Sequence, residues 1–344
     1  MSILQIPPIS SLGLILSYQC SNECRHCLYA CSPAWKDWMD PETLERILSG
    51  LEKHGRFLTG IHLSGGEPFL RPDLLASAVS AVSKRNLPID YVETNAFWCR
   101  DDAKTEDILL TMKNAGLPAI LVSASPFHSE FIPLDRVERA VRIGREVFGA
   151  DGVLLYTEFF YDQLRTADPK YPITFEDYLE AVGLDRAALF LSDQYGLIPN
   201  GRAAVDLASL FEQKSASAFF GTACRVEMTN HHHAHIDCYG NTITRLCAGI
   251  SIGDGRNLDS LFAGIDLEER PFLRMMAEEG VEGLFEYAVR ETGYREEPDG
   301  YIAKCHLCLD IRRHLVKSGR AFDELAPIEF YERLSDYYSE RKTS

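Results

Sequence analysis

Apolar and polar positions change period repeatedly between residues 12 and about 205. Leu12–Tyr18 is a nearly continuous apolar run and predicts a strand. Asp40 then stands as an N-cap with Pro41 at the first helical position, and Leu44, Ile47, Leu48 and Leu51 recur on one helical face. Phe57–Leu63 predicts a second strand, and Pro72–Lys84 a helix with Leu74, Leu75, Ala78, Val79 and Val82 turned inward. The alternation continues with strand Ile89–Glu93, helix Asp102–Ala115, strand Ala119–Ser123, helix Leu134–Phe148 and strand Val153–Glu158. Thr174 and Asp177 form a capping-box pattern for another helix. A sixth strand falls either at Ala188–Leu191 or at Leu197–Ile198. Strands alternating with helices predict an α/β fold with a parallel sheet.

Asn200-Gly201 marks a turn, after which the pattern changes. Residues 206–222 read as helix or linker, and 224–255 hold cysteines, histidines and a hairpin centred on Gly240-Asn241. From 256 onward short helices dominate. The expected division is therefore 1–205 and 206–344.

Composition narrows the class. No apolar run approaches the roughly 18 residues of a membrane span, and Met1–Ser11 has no basic region of a signal peptide. A net charge of −16 disfavours a nucleic-acid backbone as partner. Ten cysteines without a secretory signal point to metal or redox chemistry in a reducing cytoplasm. They are grouped: Cys20, Cys24, Cys27 and Cys31; Cys224, Cys238 and Cys247; Cys305 and Cys308, with Cys99 alone.

Cys20, Cys24 and Cys27 stand in a C-x3-C-x2-C spacing directly after the first strand. Iron–sulfur clusters are usually held by four cysteines, so three suggest one iron kept open. A zinc knuckle is the competing reading, but zinc sites close four-coordinate and favour paired C-x2-C spacings. About forty residues on, Ser64-Gly65-Gly66-Glu67-Pro68 follows the second strand. Its consecutive glycines let backbone approach a ligand closely. Together these two motifs resemble the radical S-adenosylmethionine (radical SAM) superfamily.

That resemblance implies a partial (β/α)6 barrel with the chemistry at the C-terminal ends of its strands. It also implies a [4Fe–4S] cluster on Cys20, Cys24 and Cys27 whose open iron chelates SAM, with Cys31 a bystander. Gly65, Gly66 and Glu67 would contact the SAM amino group through backbone. His26 takes the place of the family's aromatic residue over the cluster or the adenine, unless it is a surface histidine. Asn95, in Glu93-Thr94-Asn95-Ala96, and Ser123, in Ser123-Ala124-Ser125, would meet SAM, although Ala96 replaces a glycine and Ser125 an aspartate of the family pattern. Arg202, in Pro199-Asn200-Gly201-Arg202-Ala203, would lie near the SAM carboxylate. His128 and Glu158 are candidate acids or bases on the substrate side, a surface loop and a structural carboxylate being the alternatives.

Residues 206–344 resemble the twitch or SPASM extensions of the superfamily, a small α+β cysteine-rich unit. Cys224, Cys247, Cys305 and Cys308 would then close a second, auxiliary [4Fe–4S] cluster, with a zinc ribbon as the alternative. The gap from Gly240 to Cys247 is longer than usual, and Cys238 is left outside the set. His231, His232, His233 and His235 form a histidine run. His233 and His235 alternate onto one strand face and read as a polar face or pocket wall rather than a metal site.

The implied activity is reductive cleavage of SAM to a 5′-deoxyadenosyl radical that abstracts a substrate hydrogen, leading to net oxidation or modification of a peptide or small molecule. A flavodoxin or ferredoxin would supply electrons. The eleven residues ahead of the first strand leave no room for a peptide-recognition domain. The alternative is a non-catalytic iron–sulfur carrier or scaffold, which the Gly65–Pro68 segment disfavours because a carrier needs no SAM site.

Overall fold

The computed structural model describes residues 2–166, 173–230, 232–244 and 246–342. A short strand β1 (Ile3–Leu4) precedes β2 (Ser11–Ile15), β3 (Gly60–Ser64), β4 (Ile89–Thr94), β5 (Ile120–Ser123) and β6 (Val153–Tyr156). Helices α1 (Pro41–His54), α2 (Pro72–Lys84), α3 (Asp102–Ala115) and α4 (Leu134–Phe148) are the crossovers, and α5 (Glu158–Thr166) follows β6. Strands β2 to β6 pair in parallel, in chain order. All five residues of β3 are buried, as expected of a strand covered on both faces.

The helices begin and end where local chemistry dictates. The Asp40 side chain accepts the backbone N–H groups of Glu42 and Thr43, and Pro41 starts α1 with its φ already helical. Leu44, Ile47, Leu48 and Leu51 are buried on the inner face. Asp101 caps α3 through Lys104 N–H, and Gly116, at φ +111°, ends it in a conformation that favours glycine. Thr174 and Asp177 make both halves of the capping box at helix Phe175–Val182.

The sixth strand is not where the sequence placed it. Ala188–Leu191 lies in helix Leu184–Phe190 and the wider turn Leu191–Tyr195 that continues it. Ala187, Leu191 and Tyr195, four residues apart, are the buried positions there, while Leu184 and Leu189 are exposed. A helical period in a short apolar run mimics a strand. Leu197–Ile198 is also outside any strand. Among the described residues, five parallel βα strands, rather than six, come from the first half of the chain.

The open side of β2 is instead taken by a hairpin from the second half. β7 (Ala234–Asp237) and β8 (Thr242–Thr244) are antiparallel, with the turn at the expected Gly240-Asn241. β7 runs parallel to β2, with Leu12 opposite Ala234 and Gly13 opposite His235. The sheet order is β6-β5-β4-β3-β2-β7-β8. Buried Asp237 fixes the turn: it accepts Tyr239 N–H and Asn241 N–H at 3.0 and 2.8 Å, and the Tyr18 hydroxyl at 2.9 Å. A last strand, β9 (Ile265–Asp266), pairs with β1. Apolar side chains from both halves, Leu12 and Leu63 with Ile236 and Leu315 among them, share one core.

Candidate active site

The loops after β2, β3, β4 and β5 converge on one cavity. Cys20, Cys24 and Cys27 line it with Gly65, Gly66, Asn95 and Ser123. His26, His128, Tyr195 and Arg202 complete the wall. Four thiols line this space, Cys31 with the other three; the set Cys20, Cys24 and Cys27 fits a cluster with one uncoordinated iron.

The glycines are required by the approach of two loops. Gly66 N–H donates to Ser17 C=O at 2.8 Å and Glu67 N–H to Gln19 C=O at 2.9 Å, so this segment continues the β2–β3 ladder into the cysteine loop. A Cβ at Gly66 would stand 2.1 Å from the Gln19 carbonyl oxygen and 2.8 Å from the Cys20 nitrogen. The neighbour that excludes a side chain at 66 is therefore the cysteine loop itself, not only a bound ligand.

Glu67 does not line the cavity. Its carboxylate is buried and accepts Phe69 N–H, Thr94 hydroxyl and Asn95 N–H at 3.1, 3.0 and 2.7 Å, tying the β3 loop to the β4 loop. Burial raises its carboxyl to about 7 despite these bonds. Asn95, so held, points its amide at Ser21 Oγ (3.0 Å) and Cys20 Sγ (3.7 Å).

Arg202 is 1% exposed and acts on the cysteine loop from below. Its guanidinium donates to the carbonyls of Cys24 and Cys31 at 2.8 and 2.7 Å, and its N–H to that of Cys27. Gly201, at φ +59°, lies where a Cβ would meet the Cys27 and Leu28 carbonyl oxygens at 2.4 Å. Burial pushes the Cys24 thiol up to about 12. Cys27 is pulled down, first by a hydrogen bond from Cys31. Cys31 thus touches Cys27 and lines the same cavity.

His26 is stacked on Phe127, 4.6 Å between centroids, with the His128 ring tilted against it at 5.0 Å. Burial holds both histidines neutral, His128 at about 4. Ser125 is wholly buried, its hydroxyl 2.8 Å from His128 Nδ1, so it orients that ring. Glu158 is exposed at the start of α5 and does not reach the cavity. The acid in the cavity is Glu93, whose carboxyl confinement raises to about 7, with Tyr29, Tyr91 and Tyr156 beside it. Tyr91 and Glu93 share the inward face of β4; their alternation is the signal that sequence reading passed over.

Cys224, Cys247, Cys305 and Cys308 meet around a second pocket with Met228, Ile250, Phe272 and Met276. Cys305 and Cys308 sit on the first turns of helix Lys304–Lys317, and Cys224 caps helix Arg225–Met228. Burial raises Cys224 and Cys305 to about 12, and Lys304 and Arg312 bring positive charge to the pocket wall. Cys238 lies apart, buried in the hairpin turn. His231 falls outside the described residues.

Residues 14–148 match the family model described as the Radical SAM superfamily. The match supports membership of the radical SAM superfamily. Members of that superfamily are enzymes. They bind SAM and an iron–sulfur cluster, and cleave SAM to a radical. A search of the curated proteins found no match. Among solved structures, BtrN in complex with AdoMet and 2-DOIA is 14% identical over 80% of this chain and 90% of that one, at a TM-score of 0.42. Native anSMEcpe with AdoMet and the Cp18Cys peptide is 14% identical over 97% and 98%, at 0.44. Coproporphyrinogen III oxidase from Escherichia coli, a radical SAM enzyme, is 12% identical over 79% and 76%, at 0.35.

Proposed function

We propose that the chain is a radical SAM enzyme that cleaves SAM reductively and removes a hydrogen from a peptide or small molecule, ending in a net oxidation or other modification. Cys20, Cys24 and Cys27 hold the SAM-binding [4Fe–4S] cluster, and a flavodoxin or ferredoxin supplies its electron. When bound, cluster and SAM supply the radical chemistry, and the protein's part is to orient and to exclude water. One observation carries this reading: the three cysteines and Gly65-Gly66 open onto one shared cavity with Asn95, Ser123 and His26. A carrier or scaffold would have no use for such a space beyond the thiols. Glu93 and His128 are placed to hold or move a proton on the substrate.

The reading includes an auxiliary [4Fe–4S] cluster on Cys224, Cys247, Cys305 and Cys308, within an extension over 206–344 whose hairpin β7–β8 also joins the sheet of 1–205. Two close contacts favour an electron path between the sites. Asn200 donates to Leu246 C=O at 2.8 Å beside the second pocket, and Arg202 two residues on holds the first cysteine loop. No described helix is long and apolar enough to cross a membrane. A reducing cytoplasm suits the thiol-rich sites. The test is anaerobic reconstitution followed by reduction with SAM present: 5′-deoxyadenosine is expected from the parent protein and not from Cys24→Ala. Its absence from fully loaded parent protein contradicts the proposal.

A further inference from the structure

Three imidazoles meet on one face of the sheet, from β3 and from the start of β7. Gly13 of β2 lies opposite His62 of β3 on one side and His235 of β7 on the other. His233, two residues before His235, shares its face. One ligand atom from each of His62, His233 and His235 lies within 4.8 Å of the others. The rings of His233 and His235 are 4.6 Å apart and perpendicular, and those of His62 and His235 are 5.4 Å apart at 85°.

Gly13 keeps the centre open. A Cβ there would stand 2.6 Å from Nε2 of both His62 and His235, so the glycine leaves the space that these two nitrogens face. Ser11 Oγ holds Nδ1 of His233 at 3.0 Å, the kind of bond that fixes a ligating imidazole from outside. Nδ1 of His235 is buried without a hydrogen-bond partner. Glu93 Oε1 is 3.6 Å from His62 Nε2, the one carboxylate paired with the cluster among the described residues.

We propose that His62, His233 and His235 bind one divalent transition-metal ion, with its remaining position open toward Glu93. Imidazole donors suit zinc, iron, cobalt or nickel. Bonds of about 2.0–2.1 Å put tetrahedral ligand nitrogens roughly 3.4 Å apart, so binding draws the three rings together and turns His62 out of its stack on His233, now 5.1 Å between centroids at 13°. Three protein ligands plus an open position is the arrangement of a reactive rather than a structural metal. Because Glu93 and Tyr29 belong both to this cluster's surroundings and to the SAM cavity wall, the open position faces the substrate space. It would accept a carboxylate, hydroxyl or amine of the substrate. The metal site stands independently of the SAM chemistry.

The test titrates Co²⁺ into full-length protein already reconstituted with iron and sulfide. One Co²⁺ per chain is expected, with absorption of nitrogen and oxygen ligation and no intense thiolate-to-cobalt band. His62→Gln and His235→Gln should each weaken binding by about tenfold or more, with the iron content unchanged. Unchanged affinity in both variants, or no binding by the parent protein, overturns the proposal. Should the variants misfold, X-ray absorption at the cobalt edge of the parent protein decides: imidazole scattering supports the site, and sulfur ligation alone overturns it.

Discussion

Replacing Gly66 by alanine adds one methyl group, and its consequence can be worked from contacts. The backbone at Gly66 is not left-handed, so alanine carries no conformational penalty. The cost is steric. The new Cβ would lie 2.1 Å from the Gln19 carbonyl oxygen, 2.4 Å from its carbon and 2.8 Å from the Cys20 nitrogen. All three are backbone atoms, held by the Glu67 N–H to Gln19 C=O bond, and cannot swing aside as a side chain can. Overpacking typically costs about 1–3 kcal/mol, and a clash with fixed backbone belongs at the upper end, about 3 kcal/mol. In urea this lowers the unfolding midpoint of the apoprotein by about 1 M. Relief of the clash displaces Cys20, so reconstituted Gly66→Ala should lose about half its iron, the N-terminal cluster's share under four-iron clusters at both sites. Gly149→Ala is the control: its φ of +91° is strained, but no atom lies within 4 Å. It should cost about 1 kcal/mol and no iron. A Gly66→Ala protein with parental stability and iron content refutes the argument.

Arg202→Ala should destabilise the protein by about 3 kcal/mol, because two buried carbonyls lose their donor, and should release the N-terminal cluster. Arg202→Lys should not rescue it, since one ammonium cannot span the Cys24 and Cys31 carbonyls; thermal unfolding with iron analysis checks both. Glu67 gives a pH signature. Its folded-state carboxyl is raised to about 7, so the folded form holds a proton that the unfolded form releases, and this stabilising contribution is lost as pH rises through about 7. Unfolding measured between about pH 5 and 7 should show stability falling in the parent protein and a flatter profile in Glu67→Gln. Cys31→Ala should keep the full iron content, because Cys31 contacts Cys27 by hydrogen bonding and Cys20, Cys24 and Cys27 suffice for the cluster; loss of the N-terminal cluster's iron would make it a ligand.

What the sequence disclosed was local. Helices α2, α3 and α4 run over the residues expected, because proline, aspartate caps and glycine stops act within one turn. The hairpin at Gly240-Asn241 was legible for the same reason. The misread strand near residue 190 was a short apolar run with too few residues to show its helical period. The pairing of β7 with β2 joins segments more than two hundred residues apart, and nothing local encodes it. His62 therefore could not be matched with His233 and His235. The spacing of Cys20, Cys24 and Cys27 pointed to a site, but the inward turn of Glu67, the tie from Arg202 and the exposure of Glu158 depend on tertiary packing. Gly66 was read as space for a ligand, and the structure shows it first as space for the Gln19–Cys20 backbone.

The most direct test of the account is electron paramagnetic resonance of the reduced Cys305→Ala/Cys308→Ala protein, which keeps Cys20, Cys24 and Cys27 but only Cys224 and Cys247 of the second set. The account predicts one [4Fe–4S]⁺ signal that shifts when SAM is added, because SAM occupies the iron that Cys20, Cys24 and Cys27 leave open. A cluster signal that SAM leaves unchanged would contradict it.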